Sequence, residues 1–148
     1  NIQADYARSL FLQCGGRLNQ AAGHIYQAIK SGPKGVYVWG GETTVALPTS
    51  PGLGGRNQAL ALLLAEKISG ETNIQILVAG TDGTDGPTDA AGGSVDGNTI
   101  HKGNALKLNA SKHIQQANAY PYLLATDCLF KTGPTGTNVM DVVVAISA

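Results

Sequence analysis

Three glycine-rich segments carry the residue types best suited to chemistry. The first is Gly52-Leu53-Gly54-Gly55-Arg56-Asn57-Gln58, directly ahead of an apolar run. If that run is helical, the free N–H groups and the positive end of the dipole at its start attract an anion. Arg56 adds a planar donor fork matched to phosphate or carboxylate. No Lys-Ser/Thr follows, so this is not a Walker A loop. Asn57 stands where a dinucleotide fingerprint requires its third glycine. The plain alternative is a tight loop capped by Asn57, with Arg56 in solvent.

The second segment, residues 80–92, reads GTDGTDGPTDAAG. Asp82 and Asp85 repel each other unless a cation, a hydrogen-bond donor or Arg56 lies between them. The spacing is not that of an EF-hand. Thr81 and Asp89 complete the polar set. The plain alternative is a pair of Asx turns, with Thr88 or Asp89 capping a short helix. A long loop at a strand end points towards function. The third segment, residues 132–138 (TGPTGTN), offers Thr135, Gly136, Thr137 and Asn138 as hydroxyl, amide and backbone donors, or else is a hairpin loop. His24, His101 and His113 match no nucleophile or metal pattern, so the metal-ligand set is unknown. Tyr37 and Trp39 alternate on a strand and read as core. Asn118–Tyr122 reads as a helix boundary that could border the site.

The elements that must position these segments follow from hydrophobic periodicity. Helices are predicted over 4–13 and 17–30, with Leu10, Leu18, Ile25 and Ile29 facing inward. Gly15-Gly16 separates them and Gly32-Pro33 ends the second. Strands are predicted over 35–39 and 43–47, and an almost wholly apolar helix over 56–68, closed by Gly70. A covered strand at 74–79 leads into a long loop, 80–98. Helical character over 101–118, broken near Asn109, precedes a short helix at 120–126 and strands at 128–132 and 139–146. Strand 43–47, helix 56–68 and strand 74–79 form a predicted parallel βαβ unit with a right-handed crossover. Loops 48–56 and 80–89 then share the sheet edge where open α/β sheets bind ligands. A parallel strand 128–132 would bring loop 133–138 there too, with 139–146 returning antiparallel.

Bulk properties bound the function. The chain has 148 residues, zero formal net charge and 14% charged residues, against a usual share of about 25%. That gives no electrostatic footprint for nucleic acid and no basic cluster for an anionic membrane. No apolar stretch approaches the length of a membrane-spanning helix. The N-terminus lacks a signal-peptide pattern, so a cytoplasmic location is expected. Absence of an initiator Met suggests a processed chain or a piece of a longer one. Cys14 and Cys128 read as free buried thiols of a reducing compartment. Twenty glycines are roughly twice the ~7% norm, and they crowd into the three segments above. We find no internal repeat or linker, and expect one domain over 1–148, with a helical lead-in (1–34) and a motif-bearing core (35–148).

In order along the chain, GGETTV (40–45), GGRNQ (54–58), AGTDGTDGPTDAAG (79–92), VDG (95–97) and TGPTGTNVMD (132–141) resemble the MOFRL domain. This is the C-terminal domain of glycerate kinases of the 2-kinase type, also named hydroxypyruvate reductases. The resemblance runs from about residue 35 to the end. It implies a three-layer α/β/α fold with a mixed, mostly parallel sheet, and ATP-dependent phosphorylation of D-glycerate to 2-phosphoglycerate with Mg²⁺. It also implies an N-terminal Rossmann-like domain, in cis or in trans, that faces this one across the cleft and carries the catalytic lysine. Without that domain the chain is expected to be inactive. By the resemblance Arg56, Asp82 and Asp85 are catalytic. Gly41, Glu42, Thr43, Gly54, Gly55, Asn57, Gln58, Thr81, Asp89 and Thr135–Asn138 contact a small anionic, glycerate-like substrate and a nucleotide. The family often has an acidic residue where Ala59 stands and a serine where Ala119 stands. A stand-alone, non-catalytic module binding an anionic metabolite or a partner chain is the alternative. An oxidoreductase is disfavoured by the missing dinucleotide fingerprint.

Overall fold

The computed structural model of the chain describes residues 7–9 and 17–148. In chain order the elements are β1 (Ala7–Ser9), α1 (Leu18–Ser31), β2 (Gly35–Gly41), α2 (Arg56–Lys67), β3 (Ile74–Gly80), β4 (Gly92–Asp96), α3 (Thr99–Ala105), α4 (Ala110–Gln115), α5 (Ala119–Ala125), β5 (Leu129–Phe130) and β6 (Asp141–Ser147). The described strands form one sheet in the order β1-β2-β6-β3-β4-β5.

The fold is α/β, but its sheet is mostly antiparallel rather than mostly parallel. Only β1–β2 runs parallel among the described pairs; β2–β6, β6–β3, β3–β4 and β4–β5 are antiparallel. The cause is β6. It lies between β2 and β3 and pairs with both over its full length, so those two strands run the same way without touching. A parallel neighbour inferred from chain order is thereby displaced by a strand from the far end of the sequence.

Four local expectations change with it. Residues 43–47 are not a strand; Thr44 forms an isolated bridge to Arg17, and Val45 and Leu47 are exposed. Loop 80–98 ends early, because β4 begins at Gly92. Its sequence, GGSVD, has too few side chains to show alternation, and the glycines are required: a Cβ on Gly92 would strike the Val78 carbonyl. The strand expected at 128–132 reduces to Leu129–Phe130, antiparallel to β4. Within the helix expected at 4–13, residues 7–9 are strand β1. Its other residues lie outside the described ones, as does Cys14. Cys128 is buried and free.

α2 is the keel. Residues Asn57–Ala65 are all buried, as expected of a helix apolar on most faces. It packs on β3 and β4, and α1, α3, α4 and α5 each contact it. The sheet face beneath carries Tyr37, Ala145, Ile76 and Val95 in one register row and Trp39, Val143 and Val78 in the next. Tyr37 and Trp39 stack in this core with ring centroids 5.8 Å apart. The described residues thus supply one helical layer. On the other face Val38 and Ile146 remain 37% and 42% exposed.

Leu64 is fully buried in α2, so Leu64→Ala should destabilise the domain by about 2–5 kcal/mol. Urea denaturation of the purified chain measures this, with an unchanged far-UV dichroism spectrum as the control for fold.

Candidate functional site

The ends of β2 and β3 and the start of β6 meet at one sheet edge, where Gly41, Asp141 and Gly80 sit side by side in register. α2 begins at the same edge with Arg56. A cleft of about 510 Å³ opens there, lined by Glu42, Gly54, Gly55, Arg56, Asp82, Asp85, Asn138 and Asp141, with Val45, Leu47 and Met140 as apolar wall. The three glycine-rich segments converge, as expected, although through a different topology.

Asp85 fixes the start of α2. Its Oδ1 accepts from Asn57 N at 3.0 Å and its Oδ2 from Gln58 N at 2.8 Å. These are N–H groups that a helix start leaves unpaired. Gln58 Nε2 returns the contact to the Asp85 carbonyl at 3.2 Å and to Thr88 Oγ1 at 2.9 Å. Asp85 is only 4% exposed. Burial pushes its carboxyl above the ordinary carboxylate range, against the opposing pull of the Gln58 and Asn57 donors. The N-cap residue, Gly55, makes no side-chain cap, and a Cβ there would overlap the Asp85 carboxylate. Gly86, at φ +60°, passes against the Gly54 carbonyl. The cap therefore comes from a loop distant in sequence, not from Asn57.

Arg56 is held between two carboxylates. Asp141 takes it side-on, Nε to Oδ2 at 2.6 Å and Nη2 to Oδ1 at 3.1 Å, and Oδ1 also accepts from Asn57 Nδ2 at 3.0 Å. Glu42 Oε1 takes Nη1 at 2.7 Å. The side chains of Asp141, Arg56 and Glu42 are 9%, 34% and 54% exposed. The Asp141 hydrogen bonds, with support from Glu42, raise the Arg56 pKa above its already high value.

The remaining expected residues divide between cleft and scaffold. Asp82 lines the cleft, and its Oδ1 accepts from Thr84 N at 3.0 Å in an Asx turn. Thr81 ties two loops together: its Oγ1 donates to the Met140 carbonyl at 2.7 Å and accepts from Val139 N at 2.9 Å. Thr135 Oγ1 donates to the Thr81 carbonyl at 2.5 Å, and Thr137 N donates back to Thr135 Oγ1 at 3.4 Å. Gly136 turns at φ +76°. Asn138 Oδ1 accepts from Met140 N at 3.1 Å. Thr43 is buried. Asp89 pairs with Lys131 Nζ at 2.8 Å and accepts from Tyr120 OH at 2.7 Å, and both contacts hold its pKa below the ordinary range, Lys131 first.

Asp141 is the functional residue that motif reading left without a role. Its signal was present: an acidic residue opening an otherwise apolar strand, DVVVAI. Among the described residues no group of three His, Cys, Asp or Glu side chains is placed to hold a metal ion. No described helix is long and apolar enough to cross a membrane.

A model of the MOFRL family matches residues 35–141. Glycerate 2-kinase of Pyrococcus horikoshii is 47% identical over 114 residues, covering 77% of this chain and 26% of that protein. D-glycerate 2-kinase of Thermotoga maritima is 44% identical over 109 residues, covering 74% of this chain and 26% of its own length. A crystal structure of glycerate kinase from Thermotoga maritima superposes with a TM-score of 0.90 at 34% identity, over 95% of this chain and 36% of that one. The chain spans about a quarter of the length of the curated relatives it matches.

Removing the Asp85 carboxylate leaves the buried Asn57 and Gln58 N–H groups unpaired. Asp85→Ala should therefore cost about 2–4 kcal/mol. Gly55→Ala should destabilise in the same direction by displacing the carboxylate. Chemical denaturation of both variants checks this; wild-type midpoints would remove Asp85 as the anchor of α2.

Proposed function

Since the chain belongs to the MOFRL family, we propose that it forms one wall of an active site that transfers a phosphoryl group from ATP to D-glycerate, giving 2-phosphoglycerate. The observation that carries this reading is the position of Arg56. It sits on the first turn of α2, faces the cleft, and is oriented by a buried side-on carboxylate. A guanidinium so held presents a fixed donor edge to a carboxylate or phosphate oxygen. Phosphoryl transfer needs mainly positioning and charge stabilisation, which is what such a group supplies.

In this reading Arg56 binds an anionic oxygen of substrate or nucleotide. Asp82, whose Oδ1 is taken by Thr84 N, orients the substrate hydroxyl through its other oxygen. Asn138 adds a neutral amide at the rim. Asp85 acts by holding α2, and Asp141 by holding Arg56. Glu42, Asp82, Asp85 and Asp141 line the cleft beside a single guanidinium, Arg56, so a multiply charged substrate requires further positive charge from elsewhere. An N-terminal Rossmann-like domain, in cis or in trans, supplies it together with most nucleotide contacts. The exposed apolar side chains of Val45, Leu47, Leu53, Val139 and Met140 suit burial against such a domain. A further layer on the Val38–Ile146 face would complete three layers. The described residues of this chain do not fit a resident Mg²⁺ site. Both oxygens of Asp85 and both of Asp141 are already engaged.

The test grafts residues 35–148 in place of the matching domain of the Thermotoga maritima relative and follows ADP release with D-glycerate. The chimera should turn over, and Arg56→Ala within it should lower kcat/KM by about 10²–10³-fold without loss of fold. A folded but inactive chimera, or an Arg56→Ala chimera with unchanged kcat/KM, rules the reading out. Isothermal titration of the chain itself with D-glycerate, 2-phosphoglycerate and Mg-ATP should show binding without turnover.

A further inference from the structure

We infer that Glu42 is an internal counter-anion seated on Arg56 Nη1, which an incoming carboxylate or phosphoryl oxygen must displace, and that it thereby sets the affinity and anion selectivity of the cleft. The inference rests on the proposed anion-binding role of Arg56 and deepens it.

The two carboxylates on Arg56 differ in kind. Asp141 opens strand β6, is nine-tenths buried, and engages three donors: Nε and Nη2 of Arg56 and Nδ2 of Asn57. A buried, multiply bonded carboxylate of this kind does not leave without a large cost. Glu42 follows the end of β2 at Gly41, is 54% exposed, and contacts Arg56 through one oxygen at 2.7 Å. An exposed, single-contact ion pair is weak and screened by water. Arg56 is therefore fixed along its Nε–Nη2 edge and only lightly occupied at Nη1. Both Glu42 and Arg56 line the cleft, so the atom that Glu42 covers is the one a ligand can reach. A ligand carboxylate or phosphate replaces the Glu42 carboxylate with the same charge-assisted geometry. A neutral polyol brings no charge with which to compete. Arg56 is thus kept aligned before any ligand arrives, and weak or neutral ligands are refused.

NMR titration of the purified chain with inorganic phosphate, D-glycerate and glycerol tests this, using the Arg56 Nε–H resonance as a second readout. Glu42→Gln should tighten phosphate and D-glycerate binding about three- to fivefold, the range of an exposed ion pair, and leave glycerol non-binding. The Nε–H resonance should stay in place, because Asp141 keeps that edge. Glu42→Asp keeps the negative charge in the cleft but draws it back from Arg56 Nη1, and should tighten binding about twofold, less than E42Q does. Wild-type affinity in E42D beside a gain in E42Q would reduce Glu42 to background charge and overturn the inference, while leaving the anion role of Arg56 standing. Wild-type affinity in Arg56→Ala would instead overturn that role and the inference with it. So would an absence of phosphate or D-glycerate binding by both wild type and E42Q.

Discussion

A carboxylate taken out of water costs several kcal/mol unless its oxygens find donors. Asp85 meets that condition with the backbone N–H groups of Asn57 and Gln58, which are themselves orphans of a buried helix start. Each side of the contact removes the other's penalty. Gly55 must lack a side chain to admit the carboxylate, and Gly86 must turn at positive φ to let the loop approach. Gln58 must reach back to the Asp85 carbonyl and Thr88. Loop 81–91 and α2 consequently behave as one rigid piece. Since α2 is also the helix that the other described helices pack against, the same contact ties the cleft to the core.

The sheet contributes the second fixed point. β6 enters between β2 and β3 and begins with Asp141, level with the last residues of both neighbours. Two polar problems are thus solved at one edge. The backbone of α2 is satisfied by a loop carboxylate, and the side chain on its first turn by a strand carboxylate. The hydroxyls of Thr81 and Thr135 then lace the loop that follows β3 to the loop that leads into β6, so that Asp82 and Asn138 reach the cleft from a braced frame. The Asp89–Lys131–Tyr120 cluster secures the far end of the same loop in the same manner.

The parts of this arrangement that are local were readable in advance. The apolar run after GGRNQ specified a buried helix, the IQILVA segment a covered strand, and the clustered glycines and aspartates a shared edge. The break at Asn109 is likewise real, with its side chain accepting from Lys112 N. What local pattern does not contain is which strands become neighbours. The placement of β6 rests on pairing between residues 61 to 73 positions apart on the β3 side and 100 to 112 on the β2 side, and no periodicity within DVVVAIS encodes it. β4 was hidden for another reason: Gly92 and Gly93 are glycines because the sheet and α2 crowd them, which removes the side chains that would have announced a strand. Val45 and Leu47 misled in the opposite sense, since their alternation serves the cleft rimmed by α2 and not a sheet. Asp141 escaped because its significance lies in Arg56, 85 residues away.

The distribution of order across the site follows from these contacts. Every strong interaction of Arg56 lies on its protein side, with Asp141 buried beneath and Asn57 sharing the same oxygen. The weak one, Glu42, lies on the solvent side. An arginine in water would lose rotamer freedom on binding and give back part of its interaction energy. Here that ordering is completed on folding, and the helix start that carries the residue is itself locked by Asp85. The cleft is therefore rigid where its donors are anchored and yielding only where a ligand would enter, which is the preorganisation that electrostatic catalysis requires. The same logic accounts for the surplus of carboxylates. They are retained because three of the four are structural partners of N–H or guanidinium groups, and their charge leaves the cleft selective for a ligand that can compete for Nη1.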